Sequence, residues 1–214
     1  MYYAEFQTDK YIRETFFPGE NTNMSMAEIG AGPIEFYSMS KHFRDSGWRC
    51  VCVDPNPKFV EQHRNAGNEI YELACSSEEG ETTFNVFETG GWDSASDGIS
   101  YSSLGLRYAK ADSNPTKTFN VKVVKLSNLL ESIKVEALDF VSIDVEGWEL
   151  DVMRGFDVNK YRPRVILLEN YNHDPAYNQY MESIEYTFHS KIEYNYIYIR
   201  NSNDQKLFNG WKAR

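Results

Sequence analysis

With 214 residues, 41% hydrophobic and 25% charged, the chain is long enough to bury one substantial core, and 15% aromatic residues argue against disorder. A formal net charge of −10 without a dense Lys/Arg cluster argues against a nucleic-acid or anionic-membrane surface as the main partner. The cysteines Cys50, Cys52 and Cys75 cannot all pair. Read as reduced and buried, and with no leader or bilayer-length apolar run, they point to a cytoplasmic location.

In chain order, the first strand signal is Met26–Ile29, an apolar run ending in Gly30-Ala31-Gly32. Pro33 suits the first position of a helix, and Phe36, Met39, Ser40 and Phe43 share a face that ends at Gly47. Trp48–Val53 reads as a buried strand ending in Asp54. Asn56 and Pro57 then cap and open a helix closed by Gly67. Glu69–Ala74 gives a third strand, and Thr82–Phe87 a fourth after the turn at Glu79-Gly80. Glu88 to Pro115, rich in Gly, Ser and Asp, predicts a long loop of the kind that usually carries function.

Phe119–Leu126 alternates like a strand, and Ser127 is placed to cap a helix through Ile133. Leu138–Ile143 is a strand running into Asp144, Trp148–Met153 a short helix stopped by Gly155, and Arg164–Leu168 another buried strand. Tyr186–Phe188 and Ile192–Ile199 form an antiparallel pair, followed by a tail or edge element over 201–214. Alternating helices and near-continuous apolar strands predict an α/β fold with a mostly parallel sheet covered on both faces. Ligands of such sheets bind beyond the carboxyl ends of the strands.

The chemistry gathers at those ends. Gly30 and Gly32 allow close approach of backbone to a ligand, but the third glycine of a dinucleotide fingerprint is missing, Glu35 standing near its place. Glu28 and Glu35 flank the turn, which disfavours a pyrophosphate and favours a ligand with a positive group. Asp54 suits the ribose of an adenosine cofactor or, alternatively, a helix cap. Asp144 and Glu146 close an apolar strand, where carboxylates are costly unless compensated.

These residues resemble the FkbM-type S-adenosylmethionine-dependent methyltransferases. The matching segments are D-K-Y-I-R-E-T-F-F (Asp9–Phe17), A-E-I-G-A-G (Ala27–Gly32), G-W-R-C-V-C-V-D-P-N-P (Gly47–Pro57), Y-E-L-A-C-S-S-E-E-G-E (Tyr71–Glu81) and I-D-V-E-G-W-E-L-D-V-M-R-G (Ile143–Gly155). One departure matters: Ile34 stands where the family usually carries a further small residue; Asp54, where many relatives have Glu, is a harmless swap. The resemblance implies a doubly wound, mostly parallel seven-stranded sheet of the Rossmann-like class I type with an antiparallel C-terminal strand pair. It implies a single domain over residues 1–214, with a helical segment (1–24) over the cofactor, a core (26–200) and a tail (201–214).

The same resemblance implies that S-adenosyl-L-methionine lies over Glu28, Gly30 and Gly32. Asp54 and Pro55 would be at its ribose, Ala74, Cys75 and Ser76 beside its adenine, and Gln7 and Asp9 folded over it. Asp144 would face the sulfonium and the acceptor, while Glu146 either caps the next helix or joins the chemistry. Asp144, Glu169 and Asn170 offer three oxygen ligands at adjacent strand ends, an arrangement like that of catechol-type O-methyltransferases, suited to Mg²⁺ or Mn²⁺. Hydrogen bonding without a metal is the alternative. His173 is the one histidine past a strand end, where a general base reaches an acceptor hydroxyl. The acceptor implied is a hydroxyl of a sugar, glycan or related small natural product, with Gly90 to Tyr108 as its lid. Two other readings remain: another adenosine-nucleotide-using α/β enzyme, and a non-catalytic binding module retaining the fold.

Overall fold

The computed structural model describes residues 1–19, 23–86, 103–104 and 117–201; the tail expected beyond 201 and nearly all of the expected lid lie outside them. After a helical turn over Glu5–Gln7 come α1 (Thr8–Phe16), β1 (Ser25–Ile29), α2 (Met39–Asp45), β2 (Arg49–Val53), α3 (Pro57–Asn65) and β3 (Ile70–Tyr71). Next are β4 (Ala74–Cys75), β5 (Gly80–Val86), β6 (Ser103–Leu104), β7 (Lys117–Val124), α4 (Leu126–Ser132), β8 (Phe140–Ile143) and α5 (Glu149–Arg154). The chain then forms α6 (Val158–Tyr161), β9 (Val165–Glu169), α7 (Ala176–Ser183), β10 (Tyr186–Ile192) and β11 (Asn195–Arg200).

Seven strands form the main sheet in the order β10-β11-β9-β8-β1-β2-β3. The run from β9 to β3 is parallel throughout, and β11 pairs antiparallel with both β9 and β10. The central strands are apolar on both faces because both are covered. Ala27, Ile29, Val51, Val53, Val141 and Ile143 pack with α4, α5, α6 and α7. Their neighbours Met26, Cys50 and Phe140 pack with Ile12 and Phe16 of α1 and Met39 and Phe43 of α2. The three cysteines are buried and unpaired, as expected. Among the described residues no helix is long and apolar enough to cross a membrane.

A second, four-stranded sheet, β4-β7-β5-β6, stands beside the first. The third strand expected over Glu69–Ala74 divides between the two: Ile70–Tyr71 stays on β2, while Ala74–Cys75 pairs with β7. The β5 run Gly-Glu-Thr-Thr-Phe-Asn-Val is polar through Thr83 and buries only Phe84 and Val86, so it does not suit a sheet covered on both sides. Its apolar face, with Phe84 and Val86, closes a separate small core with Val121 and Val123.

The helix expected from Pro33 begins instead at Met39. The buried carboxylate of Glu28 accepts hydrogen bonds from the amides of Met39 (2.7 Å) and Ser40 (3.1 Å), and Ser38 Oγ accepts from Lys41 N (3.2 Å). A carboxyl cap from the preceding strand, joined by Ser38, thus outweighs proline's local preference. Ser127 does not cap α4 with its side chain; its hydroxyl accepts from Asp157 N at 2.6 Å, tying α4 to the start of α6.

Gly30 ends β1 at φ +83°, where an added Cβ would lie 1.7 Å from the carbonyl oxygen of Asp144. Gly32, at φ +58°, has no atom within 4 Å of that position. Gly30→Ala therefore has to push two central strands apart, whereas Gly32→Ala meets only backbone strain. We expect Gly30→Ala to lose at least about 2 kcal/mol more stability than Gly32→Ala in urea denaturation. Equal losses would show that β1 and β8 are not held in this contact.

Candidate active site

Beyond the carboxyl ends of β1, β2 and β8 lies a cavity of about 300 Å³. Its floor is the Gly30–Pro33 turn, one wall is Asp54–Asn56, and another is Leu73–Cys75 with Phe84 from the second sheet. Asp144, Val145, Glu146 and Glu169 close the opposite side, with Glu5, Tyr171 and Tyr194 at the rim. Five of the lining side chains are carboxylates (Glu5, Asp54, Asp144, Glu146, Glu169), and none of the described lining residues is Lys, Arg or His.

Asp54 is held firmly. Its two oxygens accept from Gly32 N (2.9 Å) and Asn56 N (2.8 Å), so it fixes the glycine turn to the start of α3. The helix cap is Asn56, which accepts from Lys58 N, and this leaves the outer lone pairs of Asp54 for a ligand. Burial raises its pKa to about 6, opposed by those two amide bonds.

Asp144 sits where β8 ends, its carboxylate reaching solvent through the cavity while protein surrounds it otherwise. Burial, and then the negative charge of Glu149, raise its pKa to about 7. Glu169, at the end of the adjacent β9, is raised well above the usual carboxylate range by burial and by the charge of Asp144.

The residue that shapes this corner is Glu149, fully buried at the first position of α5. Its Oε1 accepts from Val145 N and Gly147 N, both at 3.0 Å, and its Oε2 accepts from the Tyr177 hydroxyl at 2.6 Å. Sequence reasoning passed over it, although it is the last acid of the D-V-E-G-W-E run, two and four residues beyond the amides it binds. Glu5, Tyr171, Tyr194 and Phe84 were also missed. No local pattern marks them, because the fold brings them to the cavity from distant parts of the chain.

Of the residues expected at the cofactor, Gly30, Gly32, Asp54, Pro55, Ala74, Cys75 and Asp144 line this one cavity, as does Glu146. Others do not. Glu28 turns to the amides that open α2. Asp9 is buried, accepting from Tyr3 N (2.7 Å) and Lys10 N (2.9 Å), and thereby anchors the N-terminus. Gln7 is exposed in a left-handed turn, and it is Glu5 that reaches the rim, accepting from the Tyr194 hydroxyl at 2.5 Å. Ser76 follows β4 past the cavity, its amide donating to Val124 O.

Asn170 and His173 are corrections with one cause. The amide of Asn170 donates to Asp174 O (3.0 Å), and its oxygen accepts from Asp174 N (2.8 Å), so the side chain closes a local turn rather than facing Asp144. That turn carries His173 away to Tyr196, with Nδ1 3.0 Å from the hydroxyl, and His173 does not line the cavity.

Buried, raised carboxylates leave a signature in stability. Glu28 is pushed by burial from 4.5 to about 7, and Asp54 from 3.8 to about 6. Each binds its proton more tightly folded than unfolded. The stability this contributes is fully present below the unfolded values and is lost as pH rises through about 6 to 7. Denaturation midpoints of the unliganded chain are expected to fall from pH 5 to pH 8; a rise across that range would contradict the burial of these two groups.

No curated protein matches the sequence. The pattern of the methyltransferase FkbM domain matches residues 26–198, from β1 into β11, and so takes in the glycine turn, Asp54, the D-V-E-G-W-E run and Glu169. By that match the chain belongs to the FkbM methyltransferase domain family.

Proposed function

We propose that the chain is an S-adenosyl-L-methionine-dependent O-methyltransferase whose acceptor is a hydroxyl of a sugar, a glycan or a related small natural product. The observation that carries this reading is the cavity's acidic lining: five carboxyl groups and no described basic residue on the walls beside a glycine turn. Such walls repel a pyrophosphate or triphosphate and attract a sulfonium nucleoside. The strand order, with helices on both faces, fits a doubly wound, Rossmann-like class I fold, whose ligands lie beyond the carboxyl ends of the strands.

When bound, the nucleoside supplies a methyl group on positive sulfur; the S–C bond breaks as the acceptor oxygen bonds that carbon, leaving a neutral thioether. The protein's share is alignment, exclusion of water and removal of one proton. Asp54 accepts hydrogen bonds from the ribose hydroxyls, and the turn bound to it sets the backbone against the nucleoside. Apolar Leu73, Ala74 and Phe84 offer a flat wall for the base. Asp144 and Glu169, together on the opposite wall, stabilise the positive sulfur and receive the acceptor's proton. This reading gives His173 no role, since it lies outside the cavity lining and meets Tyr196.

Isothermal titration of the full chain with S-adenosylhomocysteine, NAD and ATP tests the reading. We expect binding of S-adenosylhomocysteine alone. Asp54→Asn should weaken it about tenfold or more, which is about 1.4 kcal/mol, while circular dichroism reports an unchanged fold. Binding of NAD or ATP in its place would give the site to another nucleotide enzyme. Binding of none of the three would leave a non-catalytic module.

A further inference from the structure

Three carboxylates converge at the ends of β8 and β9: one oxygen each from Asp144, Glu149 and Glu169, all within 4.8 Å of one another. Among the described residues no cationic side chain forms an ion pair with any of them. Acidic residues gather on many proteins without consequence, so proximity alone decides nothing. The telling atom is Glu169 Oε2. Glu169 is 6% exposed and borders the cavity, yet this oxygen is buried with no hydrogen-bond partner. An unpaired buried carboxylate oxygen costs several kcal/mol unless a cation or a proton meets it.

We propose that Asp144, Glu149 and Glu169 form a binding site for a divalent cation of the Mg²⁺ or Mn²⁺ class. The donors are hard oxygens with no thiolate or imidazole among them, which matches those ions. Glu149 is pre-oriented, since Val145 N, Gly147 N and the Tyr177 hydroxyl fix both its oxygens. Asp144 and Glu169 face the cavity, so waters or an acceptor oxygen complete the coordination from that side. This ligand set differs from the one the sequence pattern points to, because Asn170 spends its amide on Asp174 and Glu149 takes its place.

Binding of the ion stands independently of the methyl-transfer reading. Its use rests on that reading: an ion on the acceptor wall lowers the pKa of a coordinated hydroxyl and eases proton loss.

The probe is Mn²⁺ added to the chelator-treated full chain, followed by the loss of the free-ion electron paramagnetic resonance signal, with Mg²⁺ as competitor. One saturable site per chain is expected. Glu169→Gln, which replaces a carboxylate oxygen donor with an amide, should weaken it at least about tenfold. Glu149→Gln should do the same, whereas Asn170→Ala should bind Mn²⁺ as the parent does. Thermal melts of each variant without metal separate loss of ligand from loss of fold. No saturable binding by the parent chain, or equal binding by a folded Glu169→Gln chain, would overturn the site. Loss in Asn170→Ala with retention in Glu149→Gln would overturn the ligand set. Mn²⁺ binding without S-adenosylhomocysteine binding would keep the site and sink the methyltransferase reading, and the converse would do the reverse.

Discussion

The contact on which the site depends is the one between Gly30 and the carbonyl of Asp144. β1 and β8 run parallel and in register to Ile29 and Ile143, and Asp144 N donates to Ile29 O at 2.9 Å just beyond that pair. At that point the two chains must separate, one into the glycine turn and the other into the acidic turn. The space between them admits no Cβ. Because Gly30 N also donates to Val53 O, the same residue holds the end of β2, and with it Asp54. One glycine thus sets the distance between the Asp54 wall and the Asp144 wall, and that distance decides what the cavity holds.

The second constraint is charge. A folded protein rarely lines a cavity with carboxylates and leaves them without basic partners, since each loses hydration and repels its neighbours. Here burial raises Asp54, Asp144 and Glu169 alike. Asp54 is eased by two backbone amides, Glu5 by the Tyr194 hydroxyl, and Glu149 by two amides and a phenol. Asp144 and Glu169 have each other and the open cavity. The arrangement is stable enough to fold with protons in place and becomes more favourable when a cation enters, which is the usual relation between a strained site and its ligand.

Legibility in the sequence followed the range of the interactions. The central strands were readable because a strand buried on both faces must be apolar at every position, and Met26–Ile29 and Arg164–Leu168 are nearly so. Asn56 and Pro57 were readable because capping is local, and the structure has Asn56 capping α3. The start of α2 was read too early: Ser38 is a local cap, but the first amides are bound by Glu28, which precedes Met39 by eleven residues and lies on β1. Asn170 and His173 were misplaced for a related reason. Their position after a strand end is right, but the turn to Asp174 decides where the side chains point. The division of Glu69–Ala74 between two sheets was likewise hidden, since both halves are equally strand-like and only the partners differ.

Glu149 shows why the D-V-E-G-W-E run is restrictive. Between Asp144 and Trp148 the chain must reverse out of the sheet, and it does so with Glu146 at φ +57° and Gly147 at φ +94°. A non-glycine residue in that region costs on the order of 1 kcal/mol or more, and the two amides exposed by the turn need an acceptor. Glu149 supplies it, at the expense of burying a carboxylate beside Asp144. An apolar residue there would relieve the repulsion and leave Val145 N and Gly147 N unbonded; a glutamine would keep an acceptor and lose the charge. The carboxylate satisfies the turn, receives Tyr177 from α7, and adds negative charge to the corner that Asp144 and Glu169 share. Local geometry and site electrostatics therefore place their demands on the same side chain.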